Sequence, residues 1–440
     1  MVAASAVPSV AQITLQLRTT LDGFTFGTGN PGSVAAYGDT LFVGSLFAAG
    51  TITRIDNPLT SPVSGGALTG TLPLGGNGYV SLDTDGTTLV AASNNSGGGN
   101  DLVRVFDVAT NALRYEATAA TLPGPGPGPS NSRIDGAAID PITGNVWLTA
   151  FGSGLPTVLS ANSLTSVSDN PSTMFAGSPT GTGFRDINFD AATGDLYLRA
   201  TNGVLGGKRV AASVDDFTTL NSLGATAGFS QVAGSGGVNL QDSFRSAINI
   251  EFLPASFTGT EGVFITNTRV QAPTLTPFGS QVLAFDADAG FDGLSPFSLN
   301  EAGVPVSLTF LDADGVTPFT TAGSTDGIYD FSFDPVNEVL YIADHSNGAI
   351  YAFSQPYAVE TLAGDYNDDG LVNAADYTVW RDGGPLLNET ASPGVIDQED
   401  YVAWANNYGA TSTATSVAVP EPTTLVLLAM AAAAGVARRR

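Results

Sequence analysis

The sequence predicts a mainly β protein. Its body is expected to be a β-propeller of six blades, with seven as the alternative count, followed by a small α-helical module on a calcium loop and an apolar C-terminal helix. Three observations predict this. A hairpin phrase, Asp-x-x-Thr-Gly leading into an alternating apolar strand, recurs through residues 12–358. Residues 365–376 place oxygen donors at alternate positions around a glycine. An apolar run from Thr423 to Ala437 ends in three arginines.

Composition narrows the class. A chain of 440 residues accommodates one large domain and a small one. Its 53 glycines, 25 prolines and single lysine, Lys208, with short runs of Val, Ile, Thr, Phe and Tyr, oppose long helices and favour strands. The net charge of -26 is shared unevenly: residues 359–412 carry ten acidic residues and one basic. A field of that sign repels nucleic acid, which is excluded as a partner, and attracts divalent cations. With no cysteine, disulfides, thiolate nucleophiles and cysteine-held metals are excluded together.

Residues 1–11 read as the remnant of an export signal, because Ser9-Val10-Ala11 before Gln12 has the small-residue spacing of a cleavage site. The expectation is a start codon placed too far downstream, with a merely flexible N-terminus as the equal alternative. From Gln12 the hairpin phrase begins. It is plainest in Asp140-Pro141-Ile142-Thr143-Gly144 before Asn145-Val146-Trp147-Leu148, in Asp190 to Leu198, and in Asp334 to Ile342. Looser copies start at Asp83 and Gly38. Each reads as strand, tight turn and strand. A third strand follows in most units, as in Leu102 to Asp107, Gln281 to Asp286 and Ala349 to Ser354. The spacing fits four-stranded blades, and Val306 to Phe310 is a candidate for a seventh unit. A β-sandwich is the competing architecture. The strand at Ile13 to Leu17 is placed to pair with the last blade and hide its open edge. Gly97 to Asn100 and Pro123 to Pro129 read as loops. The phrase as a whole resembles blades of NHL-type propellers, in pattern and not in any functional motif.

In the stretch Asp365 to Asp376, Asp365, Asn367 and Asp369 fall at loop positions 1, 3 and 5. Gly370 turns the chain at 6, Leu371 offers its carbonyl at 7, and Asn373 and Asp376 close the loop at 9 and 12. Calcium takes six to eight oxygens, and alternate residues of a tight loop deliver them to one centre. Part of the unit returns at an offset of 24: Asp376-Tyr377-Thr378-Val379-Trp380 as Asp400-Tyr401-Val402-Ala403-Trp404. Tyr401, Trp404, Ala405 and Tyr408 share one face of a helix that Gly409 stops, and Tyr377 and Trp380 are expected to meet that face.

The duplicated loop, from about Gly364 to Gly409, resembles the EF-hand-like dockerin type I module. The resemblance implies Ca2+ held by Asp365, Asn367, Asp369, Leu371, Asn373 and Asp376, and a cohesin-like partner. The second copy has Glu389, Ala391 and Pro393 at positions 1, 3 and 5, so it is expected to be vestigial or empty. Ala374 and Ala375 occupy positions 10 and 11, through which that family often recognises its partner.

Residues 410–418 form a linker. The tail, 419–440, contains Pro420-Glu421-Pro422, the apolar run, and Arg438-Arg439-Arg440. Fifteen apolar residues are short for a membrane span, but terminal arginines stop translocation. An ordinary tail anchor would share those features. The tail resembles the PEP-CTERM sorting signal. That implies recognition and removal by an exosortase, transient anchorage in the inner membrane, and a surface or extracellular destination.

No catalytic motif stands out. His345, the single histidine, lies in Asp344-His345-Ser346-Asn347, which reads as a solvated turn. No phosphate-cradling or dinucleotide glycine loop is present. Acid pairs for glycoside cleavage remain an option, although most aspartates here sit where turns need them. The favoured reading is an exported, non-enzymatic binding or scaffolding protein. The alternative is an extracellular carbohydrate-active enzyme with a carboxylate-based site on the propeller, and polysaccharide is a candidate partner of either. A funnel on the axis lined by carboxylates and aromatic rings would favour the enzyme; an axis plugged by apolar side chains would favour binding.

Overall fold

The computed structural model describes residues 12–24, 26, 29–46, 51–74, 78–94, 101–122, 134–149, 157–165, 184–200, 203–209, 217–219, 249–258, 262–267, 282–286, 305–321, 327–357, 362–367, 369–389, 392 and 394–411. It divides into two compact units, Met1–Gln355 and Pro356–Arg440. The loops at Gly97 to Asn100 and Pro123 to Pro129, the export-signal remnant and the sorting tail lie outside the described residues.

The first unit is made of strands that pair with their neighbours in sequence. After β1 (Gln12–Leu21), β2 (Pro31–Tyr37), β3 (Thr40–Ser45), β4 (Ile52–Asp56) and β5 (Val63–Leu68) form one four-stranded sheet. A second joins β6 (Tyr79–Thr84), β7 (Thr88–Ser93), β8 (Leu102–Asp107) and β9 (Leu113–Thr118). Then come the three strands β10 (Gly136–Ile139), β11 (Asn145–Thr149) and β12 (Thr157–Ser160). The next four are β13 (Phe184–Phe189), β14 (Leu196–Ala200), β15 (Gly203–Arg209) and β16 (Phe217–Thr219).

The last sheet has eight strands. One half is β17 (Ile250–Leu253), β18 (Val263–Asn267), β19 (Val282–Asp286) and β20 (Pro305–Leu311), with the short helix α1 (Ala255–Thr258) between β17 and β18. The other half is β21 (Ile328–Asp334), β22 (Val339–Asp344), β23 (Ala349–Ser354) and β1. Thus β1 supplies the outer strand beside the chain's last hairpin, as expected, and it also reaches the neighbouring half. Gln12 to Gln16 run parallel to Ser307 to Leu311, and Gln16 to Leu21 run antiparallel to Ser354 to Ile350, with a register shift between Leu17 and Thr19. Val306 to Phe310 fall within β20, bonded to β19 and β1, and not in a separate unit.

The first strands of these groups pack side by side in a closed circuit: β2 on β6, β6 on β10, β10 on β13, β13 on β17, β17 on β21, and β21 on β2. Apolar faces fill the spaces between adjacent sheets and between the two halves of the eight-stranded one. Ala35, Phe42 and Ile52 meet Tyr79, Leu82 and Phe106, while Leu15, Phe310 and Phe353 meet Leu253 and Ile265. Tyr197 stacks on Phe252 with ring centroids 5.5 Å apart. The turn chemistry is that of the repeated phrase. Asp140 accepts the Ile142 N–H at 2.9 Å and its carbonyl accepts the Gly144 N–H at 2.8 Å, and Asp190 does the same for Ala192 and Gly194. Gly144 and Gly194 stand at φ 70° and 73°, where an L side chain is disfavoured; in the third copy Glu338 occupies that conformation at 51°.

The second unit holds α2 (Ala374–Arg381) and α3 (Gln398–Asn407). Both begin in a capping box. Asn373 accepts from Ala375 N–H while Asp376 accepts from Asn373 N–H; Asp397 and Asp400 do the same one repeat later. The aromatic faces meet as expected: Tyr377 to Trp404 at 5.1 Å and Trp380 to Tyr401 at 5.2 Å between centroids. Gly364, at φ 95°, lies against α3, where an added Cβ would stand 2.6 Å from Trp404 Cα.

Candidate functional sites

The acidic loop brings three of its six predicted ligands together. Asp365, Asp369 and Asp376 each place a carboxylate oxygen within 4.8 Å of the others. The backbone wraps around them. Asp365 accepts N–H bonds from Asp369 (3.1 Å) and Gly370 (2.9 Å), and Asp376 accepts from Tyr366 (2.8 Å), Asn367 (3.1 Å) and Asn373 (2.7 Å). The other three ligands are engaged locally. Asn367 bonds Asp369 at 2.9 Å, Asn373 caps α2, and the Leu371 carbonyl accepts from Asn373 Nδ2 at 3.1 Å. Among the described residues no basic side chain pairs with the three acids. Burial and the nearby Asp376 and Asp369 charges push the Asp365 carboxyl up. Three converging carboxylates in a twelve-residue loop turned by a glycine at φ 81° fit a hard divalent cation.

The second loop keeps the frame, with Ala391 and Pro393 in place of the oxygen donors at positions 3 and 5 and with Asp397 and Asp400 retained. Glu389 accepts the Gly394 N–H at 2.5 Å, as Asp365 does for Gly370, and Asp400 accepts the Asp397 N–H at 2.9 Å. The other oxygens of both acids, Glu389 Oε1 and Asp400 Oδ1, are buried with no donor among the described residues. Two indoles cross-link the repeats: Trp404 Nε1 donates to the Asn373 carbonyl at 2.7 Å, and Trp380 Nε1 donates to the Asp397 carbonyl at 2.8 Å.

A second set of acids lies where the six first strands meet, and sequence reasoning missed it. Alternate residues on one first strand accept main-chain N–H groups of the next. Ser81 and Asp83 take Ala137 (3.1 Å) and Ile139 (2.6 Å); Asp186 and Asn188 take Ile250 (2.9 Å) and Phe252 (3.1 Å). Glu251 takes Phe333 (2.8 Å), while Asp330, Ser332 and Asp334 take Val34 (2.9 Å), Ala36 (2.9 Å) and Gly38 (2.8 Å). These side chains satisfy donors that no neighbouring strand reaches. The available signal was a polar residue at every second position of a first strand, as in Asp330-Phe331-Ser332-Phe333-Asp334. Burial pushes Asp83 up to about 6 and Asp186 up to about 8, and lifts Glu251 and Asp330 well above the usual carboxylate range.

Toward the C-terminal ends of these strands a cavity of about 370 Å³ opens, with lining from all six. Asp83, Asn188 and Glu251 line it together with the rings of Tyr37, Phe189 and Phe333. The lining carries no Lys, Arg or His among the described residues. His345 lies elsewhere, and it is not the solvated residue the sequence suggests. Its ring packs 4.8 Å from that of Tyr329, its Nδ1 lies 3.3 Å from the Pro31 carbonyl, and burial lowers its pKa.

Comparison with known proteins adds the C-terminus. Residues 418–440, which hold Pro420, Glu421, Pro422, Arg438, Arg439 and Arg440, match a family model described as a PEP-CTERM protein-sorting motif. The chain ends in a PEP-CTERM sorting signal. This motif implies export, exosortase-dependent sorting with membrane-anchored transit, and a cell-surface or extracellular destination. Among the described residues no helix is long and apolar enough to cross a membrane. No curated protein matches the chain. Among solved structures it is similar to the WD40 β-propeller domain of Doa1, at 12% identity over 78% of this chain and 98% of that one, with a TM-score of 0.40. It is also similar to an auxiliary nutrient binding protein from Bacteroides thetaiotaomicron, at 14% identity over 74% of this chain and 69% of that one, with a TM-score of 0.41.

Proposed function

We propose that this PEP-CTERM protein is a surface or matrix binding protein, with a six-bladed propeller that takes a ligand into its axial cavity. The observation that carries the reading is the cavity itself, because every first strand contributes to its wall and polar and aromatic groups converge on it. The dockerin-like unit is the attachment module. Ca2+ held by Asp365, Asp369 and Asp376, completed by the Asn367 and Asn373 side chains and the Leu371 carbonyl, stiffens the two helices for a cohesin-like partner. The exosortase recognises the tail around Pro420, Glu421 and Pro422, with Arg438, Arg439 and Arg440 held on the cytoplasmic side.

One observation favours the enzymatic alternative: two carboxyl groups, Asp83 and Glu251, line the same cavity, as the acid pair of glycoside cleavage would. Against it, both oxygens of Glu251 already accept N–H bonds, from Phe333 and Asn188, which ties the group to the frame. The test is to display the chain in an exopolysaccharide-producing host with and without residues 423–440. Loss of surface localisation on deletion, with retention of glycan by the displayed protein and no release of reducing sugar, is the expected outcome. Unchanged localisation would refute the sorting role, and steady sugar release would establish the enzyme.

A further inference from the structure

We propose that the axial cavity takes an organic cation, an ammonium or guanidinium group on a short apolar stem, in preference to a neutral sugar. The inference deepens the reading of the cavity as a ligand site and rests on it.

The argument is one of complementarity. Asp83 belongs to β6 and Glu251 to β17, opposite positions in the circuit of six first strands, so a group on the axis lies between two carboxyls. Both are already held rigid by neutral N–H donors. Asp83 accepts from Thr84 and Ile139, and Glu251 accepts from Phe333 and Asn188. What the site lacks is positive charge. Asp85 also lines the cavity, Asp186 and Asp330 stand on neighbouring first strands, and the lining offers no cationic side chain. After burial, repulsion from neighbouring axial acids helps to raise the proton affinity of Asp186, Glu251 and Asp330, and repulsion from Asp85 does so for Asp83.

The remaining walls suit the same ligand. Tyr37, Phe189 and Phe333 add aromatic residues to the lining from three first strands, and Phe252 lies beside them with its ring stacked on Tyr197. Aromatic faces attract ammonium and guanidinium groups and also cover an alkyl stem. A neutral sugar would gain the stacking, but it would leave the acids without a countercharge. An anion would find no cationic side chain in the described lining and would be repelled by Asp85 and by any axial acid that has lost its proton.

Cation entry therefore exchanges a proton for an ammonium ion: the acid releases H+ to solvent as the ion pair forms, and no covalent bond changes. Asp83 faces Asp85 on its own segment, Asp186 from β13 and Glu251 from β17, all of the same sign. Affinity must then fall on acidification through the range where Asp83 takes up its proton, about 6.

The experiment is calorimetric titration of the full chain with n-butylammonium, n-butanol and methyl β-glucoside, in salt of about 0.15 M to screen the acidic surface. One butylammonium is expected per chain, at least about tenfold tighter than butanol, a difference of about 1.4 kcal/mol. The heat should depend on the ionisation enthalpy of the buffer near pH 6, and affinity should weaken from pH 7 to pH 5. Asp83→Asn should abolish that pH dependence. If butanol or the glucoside binds as tightly as butylammonium, or no proton is released, the cationic class is wrong while the cavity stands as a site. If none of the three binds, both the class and the ligand-binding reading of the cavity fall.

Discussion

The molecule gathers carboxylates in two places and treats them in opposite ways. On the propeller axis Asp83, Asp186, Glu251 and Asp330 are spread over four first strands, and each accepts a main-chain N–H from the next. In the acidic loop Asp365, Asp369 and Asp376 come from one short stretch and converge on a single point. The axial acids answer crowding and burial by holding protons; the loop acids have the geometry to hold a metal ion instead. What decides between proton and ion is therefore not how many acids meet. Both sets accept backbone N–H groups; what sets the loop apart is that Asp365, Asp369 and Asp376 also bring carboxylate oxygens within 4.8 Å of one another.

The contrast breaks most visibly with pH. Axial acids whose proton affinity rises on folding keep protons that the unfolded chain releases above about pH 4, so the folded state binds more protons in this window. Propeller stability is then greatest at the acidic end and falls as pH rises through about 6 and about 8, the values for Asp83 and Asp186. The expected loss is several kcal/mol, because each tenfold gain in proton affinity on folding is worth roughly 1.4 kcal/mol. Urea unfolding between pH 4.5 and pH 8.5, monitored by Trp147 fluorescence in a Trp380→Phe/Trp404→Phe background, checks this, and a flat profile would contradict protonated axial acids.

Next in size is Asp330→Ala. It strips acceptors from Val34 N–H, Phe331 N–H and Asn249 Nδ2, at a cost of about 3 kcal/mol, whereas Asp330→Asn keeps one acceptor and is expected to cost about 1 kcal/mol. The same melts read it, and equal losses for the two variants would count against the bridging role.

At the loop, Asp376→Ala should remove the calcium-dependent rise in stability of the second unit, about 2.7 kcal/mol at a hundredfold excess over Kd. Calorimetry of the full chain is expected to show one strong binding event, lost in this variant. Two equal events would show that the second loop also binds. The smallest effect is Trp404→Phe, which removes the N–H on the Asn373 carbonyl and should cost about 1 kcal/mol. Comparing calcium affinities of Trp404→Phe and Trp380→Phe separates a role at the first loop from general loosening of the pair.

Much of this was legible because turns and caps announce themselves locally. Asp140, Gly144, Asp190 and Gly194 form the turns that their spacing implies, and the loop carboxylates at positions 1, 5 and 12 meet within one short segment. The axial acids were not legible, because each one's partner lies far along the chain: 56 residues from Asp83 to Ile139, 64 from Asp186 to Ile250, 296 from Asp330 to Val34. Alternation of polar and apolar residues on a strand shows which face is polar. It does not show that the polar face is turned inward against another strand. The half-buried state of His345 was hidden for the same reason, since Tyr329 and Pro31 are distant or unremarkable in sequence.

The strand β1 carries a consequence for how the chain is made. Its residue Gln16 donates to the carbonyl of Ala313, 297 residues later, and the strand's ladder partners sit in β20 and β23. Local hairpins form as soon as their own residues exist, but this pairing must wait until almost the whole first unit has emerged. A polypeptide that crosses a membrane N-terminus first thus carries its clasp in front, and the ring is fastened only after the last hairpin has followed it across.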